Sequence, residues 1–214
     1  MISFYKLKRY KFLSVLKTEF SNPPKEKDGV HIVLKIDDKK YHQVIDLNYE
    51  HYLEILKDIH KFTGKDFYFQ KYPNFRYNTK NDKYPVWHSD RHFNHHPEEI
   101  NVMIPITKKE FGFEIIGNIS FLFNKLPFKF LNTKVMKFVL GKLSKKINYL
   151  DSILIFDGHH LHTASNRNEF KQPRLSIDFR LLPLNHKPVY KSSLRNIPIK
   201  PGHYFSDKPI SEYV

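Results

Sequence analysis

Apolar positions in this chain follow two different periods, and the stretches between them are polar and often basic. The β-branched run His31-Ile32-Val33-Leu34-Lys35-Ile36 and residues 41–47 read as two strands joined at Asp37-Asp38-Lys39-Lys40. The period then becomes helical. Tyr49, Tyr52, Leu53, Leu56 and Ile59 share one side of a helix, with Asn48 placed as its N-cap and Gly64 at its C-terminal end. Asp151-Ser152-Ile153-Leu154-Ile155-Phe156-Asp157-Gly158 is the pattern of a buried strand running into a turn. Farther on, Leu175, Ile177, Phe179 and Leu181 alternate with Arg174, Ser176, Asp178 and Arg180, so one strand carries an apolar face and a strongly polar one. Between these, Leu131, Val135, Val139, Leu143 and Ile147 recur every four residues among five lysines, which predicts a basic amphipathic helix over 131–147. That helix reads either as a plain surface element or as a lid or anionic docking face.

Composition narrows the picture modestly. With 214 residues, 40% of them hydrophobic and 15% aromatic, the chain can bury a real core and is expected to form a single domain. Residues 1–66 are expected to be an N-terminal strand and helix module packing on the outside, 67–183 the core with the helical insertion, and 184–214 a basic tail wrapping the surface. The absence of cysteine excludes disulfides and thiolate chemistry. No apolar run approaches membrane-spanning length, and the apolar core of the first 17 residues is short for a signal peptide, so a cytoplasmic protein is expected. A net charge of +14 favours anionic partners, although lysine- and asparagine-rich composition can also arise from base composition of the coding DNA.

Three separated segments carry candidate chemistry. His88 and Asp90 in Trp87-His88-Ser89-Asp90 are two residues apart, a spacing that on a strand sends both side chains to one face. The histidines of His159-His160-Leu161-His162 follow the apolar 151–158 run directly. Two imidazoles and one carboxylate suit ferrous iron and leave coordination positions open. The third segment is the alternating strand, in which Arg174 could hold the far carboxylate of 2-oxoglutarate through its planar guanidinium fork, with the Ser176 hydroxyl adding a bond.

These residues resemble the iron/2-oxoglutarate-dependent oxygenases of the streptomycin-biosynthesis type, within the double-stranded β-helix superfamily. The resemblance rests on Gln70, Pro73, Phe75-Arg76, Trp87-His88-Ser89-Asp90, His95, Glu99-Ile100-Asn101 and Ile104-Pro105-Ile106-Thr107. Its second part is Phe156-Asp157-Gly158, His162, Asn166 and Arg174-Leu175-Ser176-Ile177-Asp178-Phe179-Arg180. It implies a mainly β fold with flanking helices, a jelly-roll barrel of cupin-like type, with ferrous iron held by His88, Asp90 and His162. His162 is selected over its neighbours because Asn166 follows it by four residues and Arg174 by twelve. The resemblance further implies 2-oxoglutarate as co-substrate and dioxygen as oxidant, with the co-substrate bound by Arg174, Ser176 and Asn101. Gln70, Arg76 and Arg180 are expected to line the substrate cavity. Thr163 and Gln172-Pro173 depart from the family's small residues, and 107–151 has no counterpart in the resemblance.

The expected activity is hydroxylation of a small metabolite, with a carbohydrate or sugar nucleotide suggested by the resemblance. Two alternatives remain at this level. The Arg-x5-Arg spacing of Arg174 and Arg180, Phe75-Arg76-Tyr77 and the basic charge also fit a nucleic-acid dealkylating oxygenase of the AlkB type. A non-catalytic basic binding module with incidental histidines is the other.

Overall fold

The computed structural model describes residues 2–20, 32–34, 39–78, 86–93, 95–96, 98–107, 113–147, 151–164, 174–186 and 200–213. Among the described residues, ten strands and six α-helices are laid down in the order β1 (Ile2–Lys6), α1 (Lys11–Glu19), β2 (Ile32–Leu34), α2 (Lys39–Leu47), α3 (Tyr49–Thr63), β3 (Phe67–Phe69), β4 (Asn74–Asn78) and β5 (Ile100–Pro105). They continue as β6 (Phe113–Ile115), α4 (Ser120–Phe123), α5 (Phe128–Leu131), α6 (Lys134–Leu143), β7 (Lys145–Ile147), β8 (Ser152–Asp157), β9 (His162–Ala164) and β10 (Arg174–Pro183). The protein is mainly antiparallel β with flanking helices.

The large sheet has the order β1-β8-β5-β10-β4-β2, with β3 pairing the end of β10. A smaller sheet runs β7-β6-β9. Among the described residues the two sheets do not merge into one closed barrel. They face each other, since Phe113 and Ile115 of β6 pack on Leu154 and Phe156 of β8.

Alternation along β10 decides how the layers stack. Leu175, Ile177, Phe179 and Leu181 join Val102 and Ile104 of β5 and Ile153 and Ile155 of β8 on one face. Onto that face pack Phe12 and Leu16 of α1, Tyr41 and Ile45 of α2, and Tyr52, Leu56 and Ile59 of α3. Tyr52 sits edge-on to Phe179, their ring centroids 5.4 Å apart, and stacks on Phe12 at 5.2 Å. Burying each such side chain contributes about 1.5–3 kcal/mol.

Several sequence expectations change here. Residues 41–47 form a helix instead of a strand: buried Tyr41, Val44 and Ile45 lie at i, i+3 and i+4, a helical period that overrides the β-branched Val-Ile pair. Gly64 closes α3 in the left-handed region at φ 63°, and Asn48 stands at the N-cap, its carbonyl accepting from the His51 and Tyr52 N–H groups; its side chain makes no capping bond, because its amide donates backward to the Val44 carbonyl at 2.9 Å. The single helix expected over 131–147 is divided. Thr133 caps a new helix by accepting from the Met136 N–H, and β7 begins after Ser144. The N-terminal segment does more than pack outside, because β1 pairs along β8 and β2 along β4 as strands of the large sheet. In the tail, Tyr204, Phe205, Ser206 and Ile210 are buried, and Ser206 pairs with the Phe69 backbone, its N–H donating at 2.7 Å and its hydroxyl accepting at 3.1 Å.

Candidate metal centre

The polar face of the large sheet looks toward the small sheet across a cavity of about 100 Å³. Its wall is built in cross-strand rows. Arg180 of β10 lies opposite Asn101 of β5, which lies opposite Phe156 of β8; Asp178 lies opposite Met103 on one side and Asn74 on the other. Arg76, Asn101, Met103, Phe156, Asp178 and Arg180 line the cavity from this sheet, and Phe113 and His162 line it from the other. His88 and Asp90 complete it.

His88, Asp90 and His162 offer ligand atoms that all lie within 4.8 Å of one another. Two backbone hydrogen bonds place the histidines directly opposite each other: His88 N–H donates to the His162 carbonyl at 3.1 Å, and His162 N–H to the His88 carbonyl at 2.8 Å. Asp90 is not brought in by strand alternation, as its spacing suggested. It opens a 3-10 turn (Asp90–Phe93), and its N–H is fixed by the Gly158 carbonyl at 3.0 Å. Gly158 in turn donates to the Glu99 carbonyl, and a Cβ at this position would meet that oxygen at 3.0 Å and the Asp90 carboxylate at 3.4 Å. Glycine thus lets the two ligand-bearing segments approach closely, where a side chain would press on the Glu99 carbonyl.

Each imidazole is oriented by its own backbone. His88 Nδ1 donates to the Val86 carbonyl at 2.8 Å, and His162 Nδ1 to the His160 carbonyl at 2.9 Å. This fixes the Nδ1–H tautomer and leaves the Nε2 lone pair of each ring as the available donor. Burial, reinforced by the neighbouring His162, pushes the His88 pKa down to about 3; burial also lowers His162. Both rings are thus neutral, the form that binds a metal. Phe113 stacks on His162 at 5.4 Å and Phe156 meets it edge-on at 5.1 Å, which restricts ring rotation.

The carboxylate is held ionised. Burial alone would raise the Asp90 pKa, but the Arg180 guanidinium and the nearby histidines bring it well below the usual carboxylate range. Arg180 Nη2 donates to Asp90 Oδ1 at 2.8 Å, and the Asn101 amide donates to Oδ2. Arg180 also donates to the Tyr204 hydroxyl at 2.9 Å and lies 3.6 Å from Glu99. Alongside, Arg76 pairs with Asp178, which burial raises and Arg76 lowers, for a net fall in pKa. A neutral two-imidazole, one-carboxylate set with both rings pre-oriented fits a divalent first-row metal.

The remaining candidates separate clearly. Asn101, Arg76 and Arg180 face the cavity, though Arg180 and Asn101 hold Asp90 and Arg76 holds Asp178. Gln70 lies outside the lining: its amide donates to the Tyr72 carbonyl at 2.7 Å, and its oxygen accepts from Arg180 N–H and the Tyr204 hydroxyl. It joins strands and tail because both ends of its amide are used. Ser176 is buried on the polar face of β10, and its hydroxyl has no hydrogen-bond partner among the described residues. The side chain of Arg174, Asn166, and the Tyr84-Pro85 turn lie outside the described residues. Met103, Phe113, Asp178 and Tyr204 were not singled out individually by the sequence. Asp178 alone had a readable signal, its place on the polar side of the alternating strand.

No family model matches the chain. Streptomycin biosynthesis protein StrG of Streptomyces griseus is 26% identical over 153 residues, a match that covers 69% of this chain and 65% of that protein, just under two thirds of its length. Among solved structures, HygX from Streptomyces hygroscopicus with nickel and 2-oxoglutarate bound superposes with a TM-score of 0.56 at 8% identity, covering 100% of this chain and 94% of that one. The non-heme alpha-ketoglutarate-dependent carbocyclase SnoK from nogalamycin biosynthesis gives 0.56 at 11% identity, over 95% and 90% of the two chains. The epimerase SnoN in complex with Fe3+, alpha-ketoglutarate and nogalamycin RO gives 0.54 at 10%, over 91% and 87%. At these identities the likeness is one of fold, and the fold is shared with iron- and 2-oxoglutarate-dependent enzymes.

Proposed function

We propose that this protein is an iron(II)- and 2-oxoglutarate-dependent oxygenase of the StrG-like type, a jelly-roll enzyme that hydroxylates a small metabolite. The observation that carries this reading is the convergence of His88, Asp90 and His162 with both imidazole Nδ1 atoms tied to carbonyls and both Nε2 atoms left as donors. Bound iron with 2-oxoglutarate supplies the oxidation of a C–H bond by dioxygen, with succinate and carbon dioxide as co-products.

The chain's own residues account for binding and orientation. Among the described residues four charged side chains line the cavity, Arg76 and Arg180 against Asp90 and Asp178, so their formal charges sum to 2 − 2 = 0. A divalent ion at the histidines raises this to +2, which complements a dianionic 2-oxo acid. Ser176 lies outside the described cavity lining, but its buried hydroxyl has no partner among the described residues and is proposed as a further donor for that acid, since a buried hydroxyl left unpaired costs about 1–3 kcal/mol. Arg174 begins the same strand, in register with Asn78, and is proposed as the guanidinium that takes the distal carboxylate. Arg180 and Asn101 keep Asp90 ionised and aimed, and Phe113, Phe156 and Met103 provide the apolar wall that excludes water beside the substrate carbon.

A small-molecule substrate is supported by the relatives, which are named for steps in antibiotic biosynthesis. Arg180, whose spacing from Arg174 also suggested a nucleic-acid dealkylase, is taken up by Asp90, Glu99 and Tyr204. The test is succinate formation from 2-oxoglutarate with iron(II) and oxygen. His162→Ala and Asp90→Ala are each expected to lower it by at least about 100-fold and to abolish calorimetric metal binding, because direct ligands outweigh the roughly 10–100-fold effect of outer partners. Turnover that persists in both variants, or after chelation, would remove the iron from this reading.

A further inference from the structure

The helical insert between β6 and β7 combines basic charge with outward-facing apolar side chains. Residues 116–144 hold five lysines and no aspartate or glutamate. The stripe that sequence periodicity would bury is largely turned outward: Val135 is 73% exposed, Val139 36% and Leu143 43%, while Phe138 between them is 68% exposed. On the preceding short helices Phe121, at 63%, and Leu122 and Phe130 are exposed as well. The insert nevertheless has a folded interior, made by Leu131, Leu140 and Met136 against Trp87, Ile116 and Leu161. Its outward apolar side chains are therefore additional to those needed for folding. Single exposed apolar residues are ordinary; this many on one basic insert are not.

We propose that this insert is an interfacial docking surface for an anionic lipid bilayer. Lysines beside outward-facing phenylalanine, leucine and valine match both layers of such a membrane, with phosphate headgroups taking the charge and the acyl boundary taking the apolar side chains. Nucleic acid would use the lysines and could stack on phenylalanine, but offers nothing to Leu122, Val135 and Leu143. A second copy of this chain is disfavoured by charge, because pairing two inserts would oppose five lysines with five in a protein of net charge +14.

Docking there would bring the metal centre to the membrane surface. The Asn132 side chain accepts from the Trp87 N–H and donates to the Trp87 carbonyl, both at 3.0 Å, one residue before His88. Ser120 Oγ accepts from the Leu161 N–H at 3.0 Å, one residue before His162. Phe128 meets Phe93, and Phe93 meets His88, with ring centroids 5.7 and 5.2 Å apart.

The experiment is flotation of the full chain with vesicles of phosphatidylcholine and phosphatidylglycerol in equal parts, and with phosphatidylcholine alone. Binding to the mixed vesicles, weak binding to the neutral ones and loss with rising salt are expected. Phe121→Ser/Phe138→Ser should weaken binding by about tenfold or more through lost apolar burial. Lys129→Glu and Lys134→Glu should each weaken it by at least about fivefold. Lys61→Glu/Lys65→Glu on and after α3 should leave it nearly unchanged. All altered side chains are exposed, and circular dichroism verifies their folds. Three results would overturn the proposal: no binding of the unaltered chain at low salt, binding that ignores the phenylalanine pair, or equal dependence on α3 lysines. Self-association, or duplex DNA binding, that is lost in the phenylalanine pair while vesicle binding is absent would assign the surface to that other occupant.

Discussion

Neighbouring residues of β10 face two environments that obey different rules. Ile177 and Phe179 enter an aromatic and aliphatic layer shared with α1 and α3, where apolar burial stabilises and the Tyr52 hydroxyl is paired with the Gln70 carbonyl. Asp178 and Arg180, between and beside them, enter the cavity, where every buried charge has to be matched by another. The helix-covered face supplies the stability that a charged cavity consumes, since desolvated ion pairs contribute little net and leave a large deficit when broken. One strand can serve both tasks because its side chains alternate from face to face.

Substitutions on the two faces should therefore differ in kind. Phe179→Ala opens a cavity beneath Tyr52 and is expected to cost about 3–5 kcal/mol in denaturant unfolding, while the folded fraction keeps its metal affinity. Loss of metal affinity in that fraction would show that the faces are coupled. On the cavity side, Asp178→Leu leaves the half-buried Arg76 guanidinium without its carboxylate and should cost about 1–3 kcal/mol. The double change Arg76→Met/Asp178→Leu should recover most of this stability yet still abolish 2-oxoglutarate-dependent turnover. A double variant no more stable than the single one would mean that packing, not charge matching, governs that wall. The smallest effect is expected for Tyr204→Phe, which removes the hydroxyl shared by Arg180 and Gln70: about 1 kcal/mol of stability. A loss of metal affinity up to about tenfold should accompany it, measured by calorimetry, because Arg180 positions Asp90.

Legibility followed the range of each interaction. The β10 alternation and the β8 strand could be read directly, because period two survives in a strand whose faces differ. The 41–47 segment misled because Val44-Ile45 favour strands locally while Tyr41, Val44 and Ile45 fit a helix turned toward Phe20 and Phe75. The 131–147 stripe had a helical period, but period cannot tell a buried face from an exposed one, and here much of it is exposed.

At the site, residue type and order marked His88, Asp90 and His162 as candidates, with Arg180 and Asn101 nearby in function. Their roles came from contacts between distant segments. Gln70 turned from the cavity to join Tyr204, and Asn101 became a donor to Asp90.

By itself, the amino-acid order determined which strands have two unlike faces and which side chains have metal-binding chemistry, because both depend on residue identity and near-neighbour spacing. Only the tertiary structure decided that Gly158 admits Asp90 beside the paired histidines, that Tyr204 returns from the tail to hold Arg180, and that the basic insert turns apolar side chains outward. Those outcomes rest on backbone approach and burial between segments far apart in the chain, and no local pattern encodes such distances.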